Sequence, residues 1–120
     1  DEIDAGVSGK VAQAIAEKLY QLGKQHQVLC VTHQPLIAAM ANGHFKVEKT
    51  IIEEASKSQP HNGSSIADIR TVVRVKSLGN HQVRAEELAQ ITGGHSAEDA
   101  IAFAESLLTK AAKYRAAQSK

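Results

Sequence analysis

A change of hydrophobic period within the first third of the chain constrains its fold most strongly. Over residues 8–22, apolar side chains recur at spacings of three and four, which predicts a helix with one buried stripe that ends at Gly23. The stripe comprises Val11, Ala12, Ile15, Ala16, Leu19 and Leu22. Residues 27–32 instead form a continuous apolar run rich in β-branched residues, which is typical of a strand covered on both faces in a parallel sheet. With a strand that ends at the first residues, this order predicts a parallel βαβ unit in an α/β fold.

The middle of the chain carries the signals of a short helix and a hairpin. Pro35 suits a first helical position, and the apolar residues after it end at Asn42-Gly43. Apolar and polar residues alternate over residues 44–52 and again over residues 69–76, which predicts two strands that pair as a hairpin. The polar stretch of residues 56–65 between them is typical of a loop.

Two further helices are predicted in the last third. Residues 83–91 form the first, and Gly93-Gly94 ends it. Ser96 followed by Asp99 resembles a capping box that opens the second helix. Its apolar stripe consists of Ala100, Ile101, Ala104, Leu107, Leu108 and Ala111. The polar, basic tail from Lys113 onward is expected to fray.

Length, charge and cysteine content exclude several classes of protein. The 120 residues match the length of one domain, and a net charge of +1 is too small to hold nucleic acid by counterion release alone, so any DNA contact must be local. Cys30, the single cysteine, lies in an apolar run where a buried, inert thiol is expected, which suits a reducing cytosol. No run of about eighteen apolar residues and no secretory leader is visible, so we expect no membrane partner.

Chemistry is suggested by the acidic start of the chain and by a histidine after the second apolar run. Asp1 and Glu2 would stand at the end of a strand whose earlier residues are not in the sequence, so we expect that the chain is cut from a longer protein. A nucleotide-hydrolysing site needs one carboxylate for the Mg²⁺ shell and another to polarise the attacking water. His33 follows the predicted strand and would emerge at the same carboxyl edge of the sheet, where open α/β sheets bind ligands. A solvated acidic strand end is the alternative.

The same residues resemble a known superfamily. Asp1-Glu2-Ile3-Asp4 looks like the end of the Walker B segment of ABC-type and SMC-like ATPases, residues 5–9 resemble their D-loop, and Val31-Thr32-His33 resembles their switch-histidine loop. Within the superfamily, blocks in residues 1–10, 27–41, 44–49 and 84–94 are similar in order to the C-terminal head of the RecN family of bacterial DNA-repair proteins.

The resemblance implies a role for each matching position. Asp1 would bind ATP through Mg²⁺, Glu2 would position the attacking water, and His33 would contact the γ-phosphate. The D-loop would meet the opposite head in an ATP-sandwiched homodimer, through Ala5, Gly6, Val7, Ser8 and Gly9. Ser8 stands where many ABC ATPases have an aspartate, a departure that argues against a catalytic role for Ser8.

Parts of an ATPase head are missing from the sequence. Gly9-Lys10 is followed by Val11 and does not match the phosphate-binding glycine-rich loop, and neither the ABC signature loop nor a coiled coil is present. Residues 1–120 would therefore be the C-terminal lobe of a P-loop ATPase head that hydrolyses no ATP alone. The resemblance implies a cytoplasmic, nucleoid-associated ATPase that binds DNA ends in double-strand break repair and recombination.

Two other interpretations use some of the same residues. Ser8, His33 and either Asp1 or Asp4 could form a hydrolase triad, but residues 6–10 lack the second glycine of a nucleophile elbow. The alternative from a different class is a non-catalytic interaction module, whose basic hairpin region docks a partner or DNA. Its contact residues would be Arg70, Arg74, Lys76 and Arg84. The remaining histidines show no pair at metal-ligand spacing.

Overall fold

The computed structural model describes residues 4–54, 68–94 and 96–119. Within these ranges the chain forms four helices and one two-stranded antiparallel sheet. The elements in chain order are α1 (Gly9–Gly23), α2 (Pro35–Met40), β1 (Phe45–Glu54), β2 (Asp68–Ser77), α3 (His81–Thr92) and α4 (Ala97–Ala117). They divide into a helical unit, residues 4–44 with 78–119, and a hairpin unit, residues 45–77.

The core of the helical unit is built around the short helix α2, which packs against α1, α3 and α4. Its last four residues, Ile37 to Met40, are all buried. Small side chains from the longer helices face them, and Ala12 of α1 and Ala104 of α4 are completely buried. Alanines at these positions let the helix backbones approach closely, since no longer side chain separates them.

The apolar stripe predicted for α1 includes residues that the structure does not bury. Ala12 and Ala16 are buried, and Ile15 and Leu19 pack partly against the core. Val11 and Leu22, however, are exposed, because in the described part of the chain α1 packs mainly on the six-residue helix α2, which is too short to cover the whole stripe.

Capping side chains begin both of the last two helices, and the cap at Ser96 confirms the predicted start of α4. The side chain of Asn80 accepts a hydrogen bond from the backbone nitrogen of Val83 at 2.8 Å. Ser96 Oγ accepts one from the backbone nitrogen of Asp99 at 3.1 Å, as expected for a capping residue. Gly93 ends α3 with φ of +59°, a conformation that favours glycine.

The prediction of a frayed tail is wrong. Helix α4 continues to Ala117, and the guanidinium of Arg115 donates hydrogen bonds to the carbonyl oxygens of Ala39 and Met40, both at 3.2 Å. The ring of Tyr114 also meets that of Tyr20 edge to face, with 6.0 Å between centroids. The basic tail is therefore tied to both α1 and α2.

Arg84, which the sequence offers as a contact residue of the interaction module, makes hydrogen bonds inside the helical unit. It is partly buried, and its Nη2 atom donates to the carbonyl oxygens of Ala38, Ala39 and Ala41 at 3.2, 3.4 and 3.0 Å. These carbonyls lie at the carboxyl end of α2, where helical carbonyls lack partners within the helix. A cation at this end also interacts favourably with the helix dipole.

The predicted strand at residues 27–32 is not formed, so the parallel βαβ core is absent from the residues that the structure covers. The segment belongs to no helix or strand. Leu29 is 88% exposed, and Val28 and Val31 are also exposed, whereas Cys30 packs partly against the core. A parallel strand is held by hydrogen bonds to neighbouring strands, and no strand of the described ranges runs beside this one.

The hairpin unit confirms the predicted pairing of two strands. β1 and β2 are antiparallel, with Phe45 opposite Ser77 and Glu48 opposite Arg74. One face is apolar and exposed, and it carries Phe45, Val47, Ile51, Val73 and Val75. The opposite face is mostly polar and carries Lys46, Glu48, Arg70, Arg74 and Lys76. The predicted loop at residues 56–65 lies outside the described residues.

Candidate functional site

The two acids that open the predicted nucleotide site, Asp1 and Glu2, lie outside the described residues, so their roles stay predictions. The described part of the candidate site begins at Asp4. No group of three or more histidine, cysteine, aspartate or glutamate side chains that could hold a metal occurs in the described ranges. None of their helices is both long and apolar enough to cross a membrane.

Residues 4–9, which contain the predicted D-loop, form a tight turn that leads into α1. The backbone nitrogen of Val7 donates to the carbonyl oxygen of Asp4 at 3.2 Å, and Gly6 adopts φ of +72°. A side chain at Gly6 would be strained by this backbone conformation, although no atom would obstruct its Cβ. Val7 packs partly against the core, while the other turn residues are exposed: Ala5, Gly6, Ser8 and Gly9.

The side chain of Asp4 joins this turn to the segment that carries the histidine. Asp4 is completely buried, and its Oδ2 atom accepts a hydrogen bond from the hydroxyl of Thr32. Thr32 Oγ1 in turn accepts a hydrogen bond from the backbone nitrogen of Gln34 at 2.9 Å. Two segments that are 28 residues apart in sequence are therefore connected through one buried carboxylate.

Only one of the two oxygens of this carboxylate has a hydrogen-bond partner in the described residues. Its second oxygen, Oδ1, is buried and has no hydrogen-bond partner in the part of the chain that the structure describes. The pKa of the nearby Cys30 thiol is raised, mainly by burial and further by the negative charge of Asp4. A raised thiol pKa keeps Cys30 protonated at neutral pH, which agrees with the expectation of an inert thiol.

His33 itself is exposed and lies between two fixed points. Thr32 before it is bound to Asp4, and two residues after it Pro35 begins the buried helix α2. The imidazole is therefore presented to solvent from a restrained piece of backbone. Because Asp4 is hydrogen-bonded to Thr32, the triad hypothesis in which Asp4 orients His33 is not supported.

Comparison with known proteins shows similarity to one kind of protein from many bacteria. No family model matches the chain. It is 57% identical over 117 residues to the DNA repair protein RecN of Synechocystis, a match that covers 98% of this chain. The DNA repair protein RecN of Deinococcus radiodurans is 40% identical over 90% of the chain, and that of Bacillus subtilis is 42% identical over 78%. The chain belongs to the RecN family. It spans only 20%, 16% and 14%, respectively, of the length of these RecN relatives.

Membership in the RecN family confirms the resemblance found in the sequence, whereas the roles of Asp4 and Thr32 were missed there. The sequence indicates Asp4 only as part of the Walker B pattern or as an alternative triad acid. Two signals could have indicated the contact: a third acid directly before a small-residue turn, and a lone hydroxyl at the end of the 27–32 apolar run. A buried acid needs a donor, and a threonine at the end of an apolar run can supply one.

The polar face of the hairpin in this RecN segment is less basic than the sequence suggested. Glu48 lies between two lysines, with 2.8 Å from its Oε2 atom to Lys76 Nζ and 3.5 Å from its Oε1 atom to Lys46 Nζ. The hydrogen bond from Lys76 lowers the pKa of the Glu48 carboxyl, and Lys46 adds to this effect. Lys76 is therefore paired with Glu48, and Arg84 is bonded inside the helical unit. The docking surface expected at the hairpin stays a prediction.

Proposed function

We propose that this RecN-family chain forms the C-terminal part of an SMC-like ATPase head that acts in repair of DNA double-strand breaks. The whole protein would bind DNA ends and hydrolyse ATP, and its heads would dimerise around the nucleotide. The observation that carries this proposal is the hydrogen bond between the buried Asp4 and Thr32.

This contact supports a shared site because of the sequence neighbours of its two partners. Asp4 follows Asp1 and Glu2 almost directly, and Thr32 immediately precedes His33. The alternative of a solvated acidic strand end gives no reason for a buried hydrogen bond to the histidine segment 28 residues away. The proposed acids and the imidazole would then act on the same triphosphate.

Each residue has a chemically suitable role in ATP hydrolysis. Asp1 would hold Mg²⁺, which supplies positive charge to the phosphates when bound. The carboxylate of Glu2 would orient a water molecule and accept its proton, as a catalytic base does in phosphoryl transfer. His33, exposed on restrained backbone, would donate a hydrogen bond to a γ-phosphate oxygen.

The turn at residues 5–9 suits a contact between two heads. Four of its five residues are exposed and small, so another protein backbone can approach them closely. Its shape is fixed by the hydrogen bond from Val7 to Asp4 and by the positive φ of Gly6. A preformed turn loses little conformational entropy on binding.

Replacement of Glu2 by glutamine in the intact protein tests the proposed function. Glutamine keeps the shape of the side chain but cannot accept the proton from water, so Glu2→Gln should bind ATP and accumulate the ATP-bound dimer. Turnover should fall by at least about 100-fold, in keeping with the loss of a general base. Steady-state ATP hydrolysis and ATP-dependent dimerisation by light scattering provide the measurements.

The exposed Glu105 on α4 offers a matched control. Glu105→Gln makes the same chemical change away from the proposed site and should leave both turnover and dimerisation unaltered. Wild-type turnover in Glu2→Gln would remove the catalytic assignment and favour the non-catalytic interaction module.

A further inference from the structure

The hydroxyl of Thr32 both donates and accepts a hydrogen bond, and its two partners lie before and after His33 in the sequence. It donates to the Asp4 carboxylate on one side and accepts from the backbone nitrogen of Gln34, at 2.9 Å, on the other. A threonine hydroxyl has one proton to donate and two lone pairs to accept with, so this arrangement fixes its orientation. The backbone on both sides of His33 is therefore connected to one buried carboxylate.

Burial makes this connection stronger than a similar contact at the surface. A hydrogen bond to an ionised carboxylate is roughly twice as strong as one between neutral groups. Asp4 is completely buried, and Thr32 donates its only side-chain hydrogen bond in the described part of the chain. Loss of the Thr32 hydroxyl would leave the carboxylate buried with no donor to its side chain from those residues, which is costly.

The far side of Asp4 is also held in place. Its carbonyl oxygen accepts the hydrogen bond from Val7 that closes the turn, and Val7 packs against the core of the helical unit. The backbone of Asp4 is therefore held by the turn, and its side chain holds Thr32. No other described hydrogen bond connects residues 27–33 to the rest of the helical unit.

We propose that Asp4 and Thr32 are positioning residues that set the place of the His33 imidazole through the Asp4–Thr32–Gln34 hydrogen bonds. The inference rests on the proposed function, in which His33 contacts the γ-phosphate. Neither positioning residue contacts the nucleotide, and both act only through His33.

The inference is tested by Thr32→Val and Thr32→Ser in the intact protein, each alone and combined with His33→Ala. Valine has the shape of threonine without the hydroxyl, whereas serine retains it. Thr32→Val should lower kcat for ATP hydrolysis by about 10-fold or more while KM for ATP stays within about threefold, since small misplacements of a catalytic group reduce the rate strongly. Thr32→Ser should stay within about twofold of wild type.

The combined variants distinguish positioning from general damage to the fold. If Thr32 acts through His33, Thr32→Val should slow the His33→Ala protein by less than about twofold, because residues that act as a unit are not additive. Losses that multiply would overturn the inference. Asp4→Asn keeps the side-chain volume and should lower kcat in the wild-type background but not in the His33→Ala background. This variant replaces Thr32→Val in the test if Thr32→Val does not fold.

A measurement without nucleotide provides an independent readout. In hydrogen exchange, the Gln34 amide should exchange faster in Thr32→Val than in wild type and should be restored in Thr32→Ser. Unchanged exchange in Thr32→Val would contradict the inference. Wild-type ATP turnover in His33→Ala would instead contradict the proposed function. Reduced turnover in His33→Ala together with wild-type turnover in Thr32→Val would contradict only the positioning role of Thr32.

Discussion

Protonation of one side chain in the helical unit, His44, makes the stability of the fold depend on pH. His44 is partly buried, and its Nδ1 atom is buried with no hydrogen-bond partner in the described ranges. Its pKa lies below the ordinary value of 6.5, first because of burial and then because of the charge of Arg84, with Glu87 opposing. The protonated imidazole is therefore less stable in the folded chain than in the unfolded one.

The pKa of His44 predicts that the chain loses stability when the solution is acidified. The unfolded state binds the proton at a higher pH than the folded state, so the contribution of neutral His44 is present above pH 6.5 and is lost as pH falls through 6.5 toward the lower folded value. Urea unfolding at pH 7.5 and pH 5.5 should show a larger drop for wild type than for His44→Gln, in which residue 44 does not titrate. Equal drops in the two proteins would contradict the assignment.

At the scale of elements, two arginines from different helices hold the carboxyl end of α2. Arg84 of α3 and Arg115 of α4 together donate to four consecutive carbonyl oxygens, those of residues 38–41. Burial, and then repulsion by Arg115, lower the pKa of Arg84. The carbonyl oxygens accept hydrogen bonds from both guanidinium groups. The helix that follows His33 is thus fixed at its far end by side chains distant in sequence.

Removal of Arg84 should destabilise the helical unit substantially. Arg84→Ala leaves the carbonyl oxygens of Ala38 and Ala41 without this donor, and we expect a loss of about 2 kcal/mol in the free energy of unfolding, typical of hydrogen bonds to charged groups. Arg74→Ala, on the exposed hairpin, should change it by less than about 0.5 kcal/mol. Chemical denaturation of the two variants compares them directly, and an equal effect would show that the Arg84 contacts contribute nothing.

The boundary signals explain which elements could be predicted from the sequence. Pro35, Gly93 and Ser96 act through their own backbone or nearest neighbours, and all three stand at the helix ends where they are expected. The hairpin followed from alternation within each strand, a local pattern as well. Contacts of Arg84 and Arg115 with α2 could not be predicted, since a basic residue in a helix carries no local sign of a buried partner.

At the scale of the whole molecule, the described residues form a helical unit and a hairpin unit with considerable apolar surface exposed. The apolar run at residues 27–32 was expected as a buried parallel strand and is mostly exposed. A parallel strand depends on neighbours from elsewhere, so composition alone could not show whether they are present. The candidate site shows the same difference: the sequence predicts roles for Asp1, Glu2 and His33, but the contact between Asp4 and Thr32 required coordinates.

The central claim is that the acidic start and His33 meet on one triphosphate, and photolabelling tests it most directly. The intact protein would be irradiated with an ATP analogue that carries a photoreactive group on its γ-phosphate, and the tryptic peptides would be identified by mass spectrometry. We predict that label appears both on the peptide that ends at Lys10 and on the peptide of residues 25–46, that excess ATP removes it from both, and that residues 85–110 stay unlabelled. Label on only one of the two peptides, or label that ATP does not displace, would contradict the shared site.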